Sequence, residues 1–156
     1  MSADPRLTLT VRPARDAAEV RAALDLRVRV FCDEQGVDRQ VELDGLDDEA
    51  TQIVALDERE VVATCRLRLI GRGCKLERMA VERRYRGAGA GRRLLEVAED
   101  EARRQGAKSV TLHAQRRAEG FYAAAGYVAE GETFIEEEIE HVAMTKLLSG
   151  SGSGEG

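Results

Sequence analysis

Apolar and polar residues alternate over residues 7–12, which predicts an opening strand that Pro13 breaks. The spacing then turns helical: Val20, Leu24, Val28 and Phe31 recur at intervals of three and four, and Asp16 with Glu19 resembles a capping pair, so a helix runs to about Phe31. Residues 32–50 are irregular, glycine-punctuated and acidic, carrying Asp33, Glu34, Asp38, Glu42, Asp44, Asp47, Asp48 and Glu49. Short strands follow at 53–56, 61–70 and 74–81, with turns at 57–60 and 71–73. Leu94, Leu95, Ala98 and Ala102 mark one face of a second helix that ends at Gly106. A strand at 109–114, with Val110 and Leu112 on one side, a short helix at 118–125 stopped by Gly126, and strands at 127–130 and 139–146 complete the chain. The order β-α-(irregular)-β-β-β-α-β-α-β-β predicts a mixed sheet with helices on both faces.

The most informative stretch joins the strand ending Leu76-Glu77-Arg78-Met79-Ala80-Val81 to the second long helix through Arg86-Gly87-Ala88-Gly89-Ala90-Gly91-Arg92. Glycine lets a backbone curl tightly and approach a ligand without interference from Cβ. The first turn of the helix leaves N–H groups without intrahelical partners, and these, the macrodipole and the flanking arginines together form a pocket for phosphate. A P-loop would need Lys-Ser or Lys-Thr after its last glycine, and Gly91 is followed by Arg92-Arg93. A Rossmann fingerprint would need a further βαβ half and an acidic residue on its next strand, and neither is present.

Arg86-x-x-Gly89-x-Gly91 resembles the pyrophosphate-binding motif of the GNAT superfamily of acyl-CoA N-acetyltransferases. The element order over residues 7–147 is that of the same superfamily. Within it, the residues Phe31-Cys32-Asp33-Glu34-Gln35-Gly36-Val37, Leu76 to Val81, and Gly120-Phe121-Tyr122 with Gly126-Tyr127 are similar to the ElaA/YjcF-type branch, as are Gly131-x-x-Phe134 and Ile139-Glu140-His141-Val142. The resemblance implies an α/β fold with a central mixed, mostly antiparallel sheet, splayed middle strands and flanking helices. Chain length and the Gly/Ser-rich end predict a single domain over residues 1–148 followed by a flexible Gly/Ser tail at 149–156. The resemblance also implies acetyl-CoA as acyl donor, with no metal.

Amide formation from a thioester and an amine needs a held thioester, an uncharged amine, a stabilised oxyanion and a protonated leaving thiolate. By the resemblance, backbone N–H groups of Gly87, Ala88, Gly89, Ala90, Gly91 and Arg92 hold the CoA pyrophosphate, with Arg86 supplying charge. The backbone of Met79, Ala80 and Val81 pairs with pantetheine and supplies the oxyanion donor, while the Met79 and Val81 side chains pack in the core. Tyr122 stands where many members of the superfamily place the tyrosine that protonates the thiolate. A phenol is protonated at neutral pH and suits that task. Phe121 beside it reads as a core anchor.

Three residues qualify as the base that frees the amine. Glu77 comes first, since burial on a central strand would suit it, although pairing with Arg66, Arg68 or Arg78 is an equal reading. His141 is second and Glu34 third. His113 and Gln115 end a strand beside the splay and line the cleft. Cys32 has no neighbouring histidine to activate it and reads as an inert thiol.

Composition narrows the field. The chain has 156 residues, a net charge of -5 and 34% charged residues, enough for one ordinary core and unlike a general nucleic-acid binder. Three cysteines and two histidines are too few and too scattered for a zinc site. Neither a secretory pattern nor an apolar run of membrane-spanning length is visible, so a cytoplasmic protein is expected, with no membrane or nucleic-acid partner. Acidic runs are usually solvated surface, as expected for 33–49 and for Glu130, Glu132, Glu136, Glu137, Glu138 and Glu140. In the GNAT fold, however, both runs border the acceptor side and would favour a cationic small-molecule or peptide amine. A homodimer stays open. Two alternatives accompany the enzyme reading. One is a catalytically silent acyl-CoA sensor. The other, an acyl-homoserine lactone synthase suggested by Arg27, Phe31, Asp44 and Asp47, is opposed by the retained Arg-x-x-Gly-x-Gly loop.

Overall fold

The computed structural model describes residues 9–149. The first two residues of the expected opening strand and the tail beyond Ser149 lie outside the described residues. The elements are β1 (Leu9–Pro13), α1 (Ala17–Arg27), α2 (Arg39–Glu42), β2 (Thr51–Asp57), β3 (Glu60–Ile70), β4 (Gly73–Val81), α3 (Ala90–Arg104), β5 (Ser109–Gln115), α4 (Glu119–Ala124), β6 (Val128–Glu136) and β7 (Ile139–Leu147). The strands form a mixed sheet in the order β1-β2-β3-β4-β5-β7-β6. β4 and β5 run parallel, whereas β1–β2, β2–β3, β5–β7 and β6–β7 are antiparallel. No helix among the described residues is long and apolar enough to cross a membrane. The chain divides into two compact units: the described residues to Arg68 with Arg78–Ala98, and Leu69–Glu77 with the described residues from Glu99.

In the first unit, β2 is buried almost throughout, as its run Ile53-Val54-Ala55-Leu56 demands. Ala23 and Leu26 of α1, with Val30, pack against Val54, Leu56, Val61 and Ala80. Asp16 caps α1 by accepting from the Glu19 N–H at 2.9 Å. Glu19 does not complete a reciprocal capping box. Its carboxylate accepts from Arg12 at 2.8 and 2.9 Å and from the Arg15 N–H, which pulls its pKa down to about 2. The helical run also passes its expected end: residues Val28–Glu34 continue it as a π-helix, a form that usually survives where function requires it.

The acidic segment that follows corrects the surface reading. Arg27 and Arg66 are fully buried, and their guanidinium groups meet carboxylates from residues 42–47. Arg27 reaches Glu42 at 2.7 Å and Asp47 at 2.7 Å, and Arg66 reaches Asp44 at 2.8 Å and Asp47 at 3.3 Å. Arg78 joins them through Glu42 and Asp44, both at 3.2 Å. Three arginines thus balance three carboxylates, which is the condition under which buried charge is tolerated. This network straps the segment of α2 and the following 3-10 turn, Asp47–Glu49, to the sheet.

In the second unit, strict alternation sorts β5: Val110, Leu112 and Ala114 are buried and pair along β7 with Lys146, Met144 and Val142. The opposite face carries Thr111, His113 and Gln115 of β5, Ala143 and His141 of β7, and Lys75 and Glu77 at the start of β4. Buried Glu99 of α3 accepts from the Tyr127 hydroxyl at 3.0 Å and from Lys146 Nζ at 2.9 Å. β6 is twice its expected length. Its ladder with β7 shifts between Glu130 and Phe134 and closes on Glu136↔Ile139 through the two-residue turn Glu137-Glu138. Both turn residues have left-handed backbone, φ 53° and 65°, in a turn that ordinarily selects Asn-Gly.

Candidate active site

The Arg/Gly turn lies in the first unit and is built upward from β4. Glu82 starts a 3-10 turn, Arg83–Tyr85, by accepting the Arg84 N–H on its carboxylate at 2.6 Å. Tyr85 anchors the turn: its ring is buried, its hydroxyl donates to the Asp57 carboxylate, and the Arg84 guanidinium sits 5.2 Å over its face. The hydrogen bond to Asp57 raises the Tyr85 pKa, so the phenol stays protonated and keeps the anchor. Tyr85 is not among the residues the sequence singles out, and its one signal there is a lone aromatic ahead of a glycine loop. Gly87 and Gly89 then take φ 81° and 89°, a region closed in practice to residues with a Cβ. α3 begins at once with buried Ala90, so the first-turn N–H groups of residues 90–92 project at the glycine turn.

The arginines of this turn are partly engaged. Arg86 donates to the Val81 carbonyl at 2.8 Å and to Glu34 at 2.7 Å, Arg92 lies 3.9 Å from Glu96, and Arg93 donates to the Leu9 carbonyl at 2.6 Å. Arg86 therefore braces the turn against β4 while its half-exposed side chain borders the turn. Glu34, the third base candidate, is the partner of that brace.

β4 breaks its regular geometry at Arg78, whose φ is 58°, a left-handed value that a long side chain adopts at a cost of about 1–3 kcal/mol. Such strain is kept where surrounding contacts impose it. Here the Arg78 guanidinium donates to the Glu42 carbonyl at 3.2 Å and to Asp44. The ladder of β4 with β5 ends at Leu76↔Leu112, so Met79, Ala80 and Val81 lie beyond it. Ala80 is in the core, but Met79 and Val81 are only half-buried, contrary to the core packing expected of their side chains.

The other candidates lie in the second unit. Tyr122 of α4 is buried edge-on between Phe121, at 5.0 Å, and Tyr127, at 6.0 Å. The expected roles of the aromatic pair are exchanged in packing: Phe121 is 39% exposed, and Tyr122 is the anchored ring. Glu77 lies 3.5 Å from Lys75 Nζ. Register places Glu77, His113, Gln115 and His141 on one sheet face, so the alternation brings two base candidates and two lining residues together.

His141 is almost fully buried and its Nδ1 lies 2.7 Å from the Ile139 carbonyl, an acceptor only, so Nδ1 carries a proton. The Phe134 ring stacks on the imidazole at 6.0 Å and meets His113 edge-on at 5.0 Å. Glu136 stands between the two histidines, 3.9 Å from His141 Nε2 and 3.4 Å from His113 Nδ1. In the sequence Glu136 stands in an acidic run expected to border the acceptor side, and Phe134 in a motif of the ElaA/YjcF-type branch. Neither signal could show that the shift in β6 brings both onto His141. Cys32 is half-exposed, and burial, followed by the charge of Glu42, raises its thiol pKa, in keeping with an inert role.

The sequence profile of the acetyltransferase (GNAT) domain matches residues 16–148. YjcF of Bacillus subtilis, an uncharacterized N-acetyltransferase, is 34% identical over 134 residues, covering 85% of this chain and 96% of YjcF. An acyl-CoA N-acyltransferase from Pseudomonas aeruginosa superposes with a TM-score of 0.78 at 29% identity, over 88% of this chain and 98% of that one. Escherichia coli ElaA gives 0.77 at 25% identity over the same shares, 88% and 98%. At 16% identity, a GNAT family acetyltransferase from Elizabethkingia anophelis with acetyl-CoA bound shares the fold, with a TM-score of 0.70 over 90% of this chain and 99% of that one. This chain belongs to the GNAT acetyltransferase family, in its ElaA/YjcF-like branch.

Proposed function

We propose that this protein is an N-acetyltransferase that moves an acetyl group from acetyl-CoA to a primary amine by direct attack in a ternary complex. The observation that carries the reading is the turn from Arg86 to Arg92, in which left-handed Gly87 and Gly89 deliver the chain into α3 at Ala90. A curled backbone with helix N–H groups and flanking arginines fits a pyrophosphate. The donor supplies the activated acyl group, and the chain's own residues do the rest. The backbone of residues 87–92 binds the diphosphate. Main-chain groups of Met79, Ala80 and Val81, beyond the end of the β4–β5 ladder, align the pantetheine and receive the developing oxyanion. Tyr122 gives its proton to the leaving thiolate.

The acceptor is a cationic amine, either a small molecule or an exposed lysine of a peptide. With the first acidic run folded into an ion network, this reading rests on the β6–β7 hairpin, where Glu130, Glu132, Glu136, Glu137, Glu138 and Glu140 are all exposed. Calorimetric titration with CoA tests the donor site. Binding is expected to weaken about tenfold in Gly89→Ala, because a residue with a Cβ does not hold φ 89° and the turn's amides are displaced. A wild-type protein that does not bind CoA would remove the reading.

A further inference from the structure

We propose that His141 and Glu136 together receive the acceptor's ammonium group, His141 taking its proton and Glu136 holding its charge. The inference rests on the acetyltransferase reading and deepens it by choosing between the base candidates and naming a group that fixes acceptor charge.

The geometry is local to the second unit. Donation of Nδ1–H to the Ile139 carbonyl at 2.7 Å fixes the tautomer, so neutral His141 presents a bare lone pair at Nε2. That nitrogen faces Glu136 Oε1 at 3.9 Å, too far for a hydrogen bond between them. It is the right separation for a third atom: a nitrogen about 2.9 Å from each would donate one N–H to Nε2 and another to the carboxylate. A primary alkylammonium has the two hydrogens this requires and one to spare, with one bond left to the rest of the acceptor. Phe134 stacks on the imidazole at 6.0 Å and holds the ring plane, while Glu136 Oε2 is steadied 3.4 Å from His113 Nδ1.

Three backbone features set this pair. The shift in β6 between Glu130 and Phe134 carries Phe134 opposite His141. The tight turn at Glu137-Glu138 keeps two non-glycine residues left-handed, strain of the kind that gathers at working sites. Gly131, at φ 76°, supplies the bend within the shifted stretch. By contrast Glu77, on the same sheet face, lies 3.5 Å from a lysine ammonium, which opposes proton uptake.

The step balances simply. The ammonium N–H bond breaks, its proton goes to Nε2, and imidazolium forms beside the Glu136 carboxylate. The freed amine lone pair attacks the acetyl carbonyl and a C–N bond forms. As the C–S bond breaks the thiolate takes a proton from Tyr122, the new amide nitrogen loses its second proton to solvent, from which the phenol is reprotonated, and the imidazolium returns its proton to solvent. The charged and titratable groups on the face of His141 are Glu136 from β6, His113 from β5 and, further along, Glu77 with Lys75 from β4, whereas Glu140, its neighbour on β7, points to the other face.

Thiol release from acetyl-CoA is followed with spermidine, kanamycin and a lysine peptide, and with an arylamine that is already neutral at pH 7. For the best alkylamine, His141→Asn is expected to lower kcat/KM by roughly 100-fold or more and to abolish the acidic limb of its pH profile. Glu136→Gln is expected to raise KM by about tenfold with a smaller loss of kcat, because a charged hydrogen bond to the ammonium becomes a neutral one. Arylamine turnover should fall less than alkylamine turnover in either variant, since an arylamine arrives without the first proton and without its charge. This arm, together with CoA-induced thermal stabilisation, separates a chemical role from a folding defect. Alkylamine turnover within about twofold of wild type in both variants would overturn the proposal and leave the acetyltransferase reading standing. Equal losses for alkylamines and arylamines would also overturn it. No thiol release by the wild-type protein with any amine would overturn both.

Discussion

Two acidic runs, residues 33–49 and 130–140, look alike in the sequence and end in opposite environments. In the first, Glu42, Asp44 and Asp47 turn inward to meet Arg27, Arg66 and Arg78, and two of those guanidinium groups are wholly shielded from solvent. In the second, every glutamate is exposed; Glu136 meets the two histidines, and Glu130 accepts from the Thr145 hydroxyl at 3.0 Å. The difference lies in what the neighbouring strands offer. Arg27 ends α1 fully buried and Arg66 sits among buried residues of β3, so each needs a carboxylate brought to it. The β6–β7 hairpin has no buried cation to satisfy. An acidic run turns inward where the core holds the opposite charge and stays at the surface where it does not.

The largest expected effect separates the runs by stability. Arg27→Met leaves Glu42 and Asp47 without their main partner in a dry site and should cost about 3–5 kcal/mol in urea unfolding. Glu132→Gln, on the exposed hairpin, should stay within about 0.5 kcal/mol. Similar losses in both would erase the distinction. Paired removal of Arg27 and Glu42 by apolar residues should cost less than Arg27→Met alone, since the penalty belongs to the uncompensated charge.

A second contrast uses pH. Hydrogen bonds from Arg66 hold the Asp44 carboxyl well below its ordinary value of 3.8. Burial alone would push Asp47 upward, but the hydrogen bond and charge of Arg27 outweigh it and lower it too. A carboxyl whose folded pKa is depressed binds protons more weakly folded than unfolded. Its stabilisation is therefore complete above the unfolded value and is lost as pH falls toward the folded one. Stability should be level from pH 7 to 5 and decline below about pH 4, and Asp44→Asn should make that decline shallower. An unchanged slope in Asp44→Asn would place the acid sensitivity elsewhere.

The smallest effect concerns the hairpin turn. Glu137→Asn with Glu138→Gly supplies the residues that left-handed backbone prefers and should stabilise the protein by about 1 kcal/mol, read as a rise in Tm. Destabilisation would mean that the glutamate side chains hold the turn.

Local signals carried the fold far. Alternation in β5, the apolar run of β2 and the cap at Asp16 all stand where the pattern placed them. Legibility failed where the deciding partner is distant in sequence. Nothing near Glu42 announces that Arg27, fifteen residues earlier, will be buried against it. The extension of β6 to Glu136 was hidden because a Gly-Glu-Thr stretch and a Glu-Glu turn both read as loop. In the candidate site, the glycine turn was legible because backbone geometry restricts residue choice. The roles of Phe121 and Tyr122 were not, since two adjacent aromatics do not reveal which one faces the core.

The central claim is acetyl transfer to an amine, and the most direct measurement is mass spectrometry of an amine panel after incubation with acetyl-CoA and protein, with thiol release recorded in parallel. A 42 Da gain on a cationic amine, matched mole for mole by free thiol and abolished without protein, is the predicted result. Binding of CoA with no acetylated product from any amine would contradict it and leave a member of this family that holds the donor without transferring its acyl group.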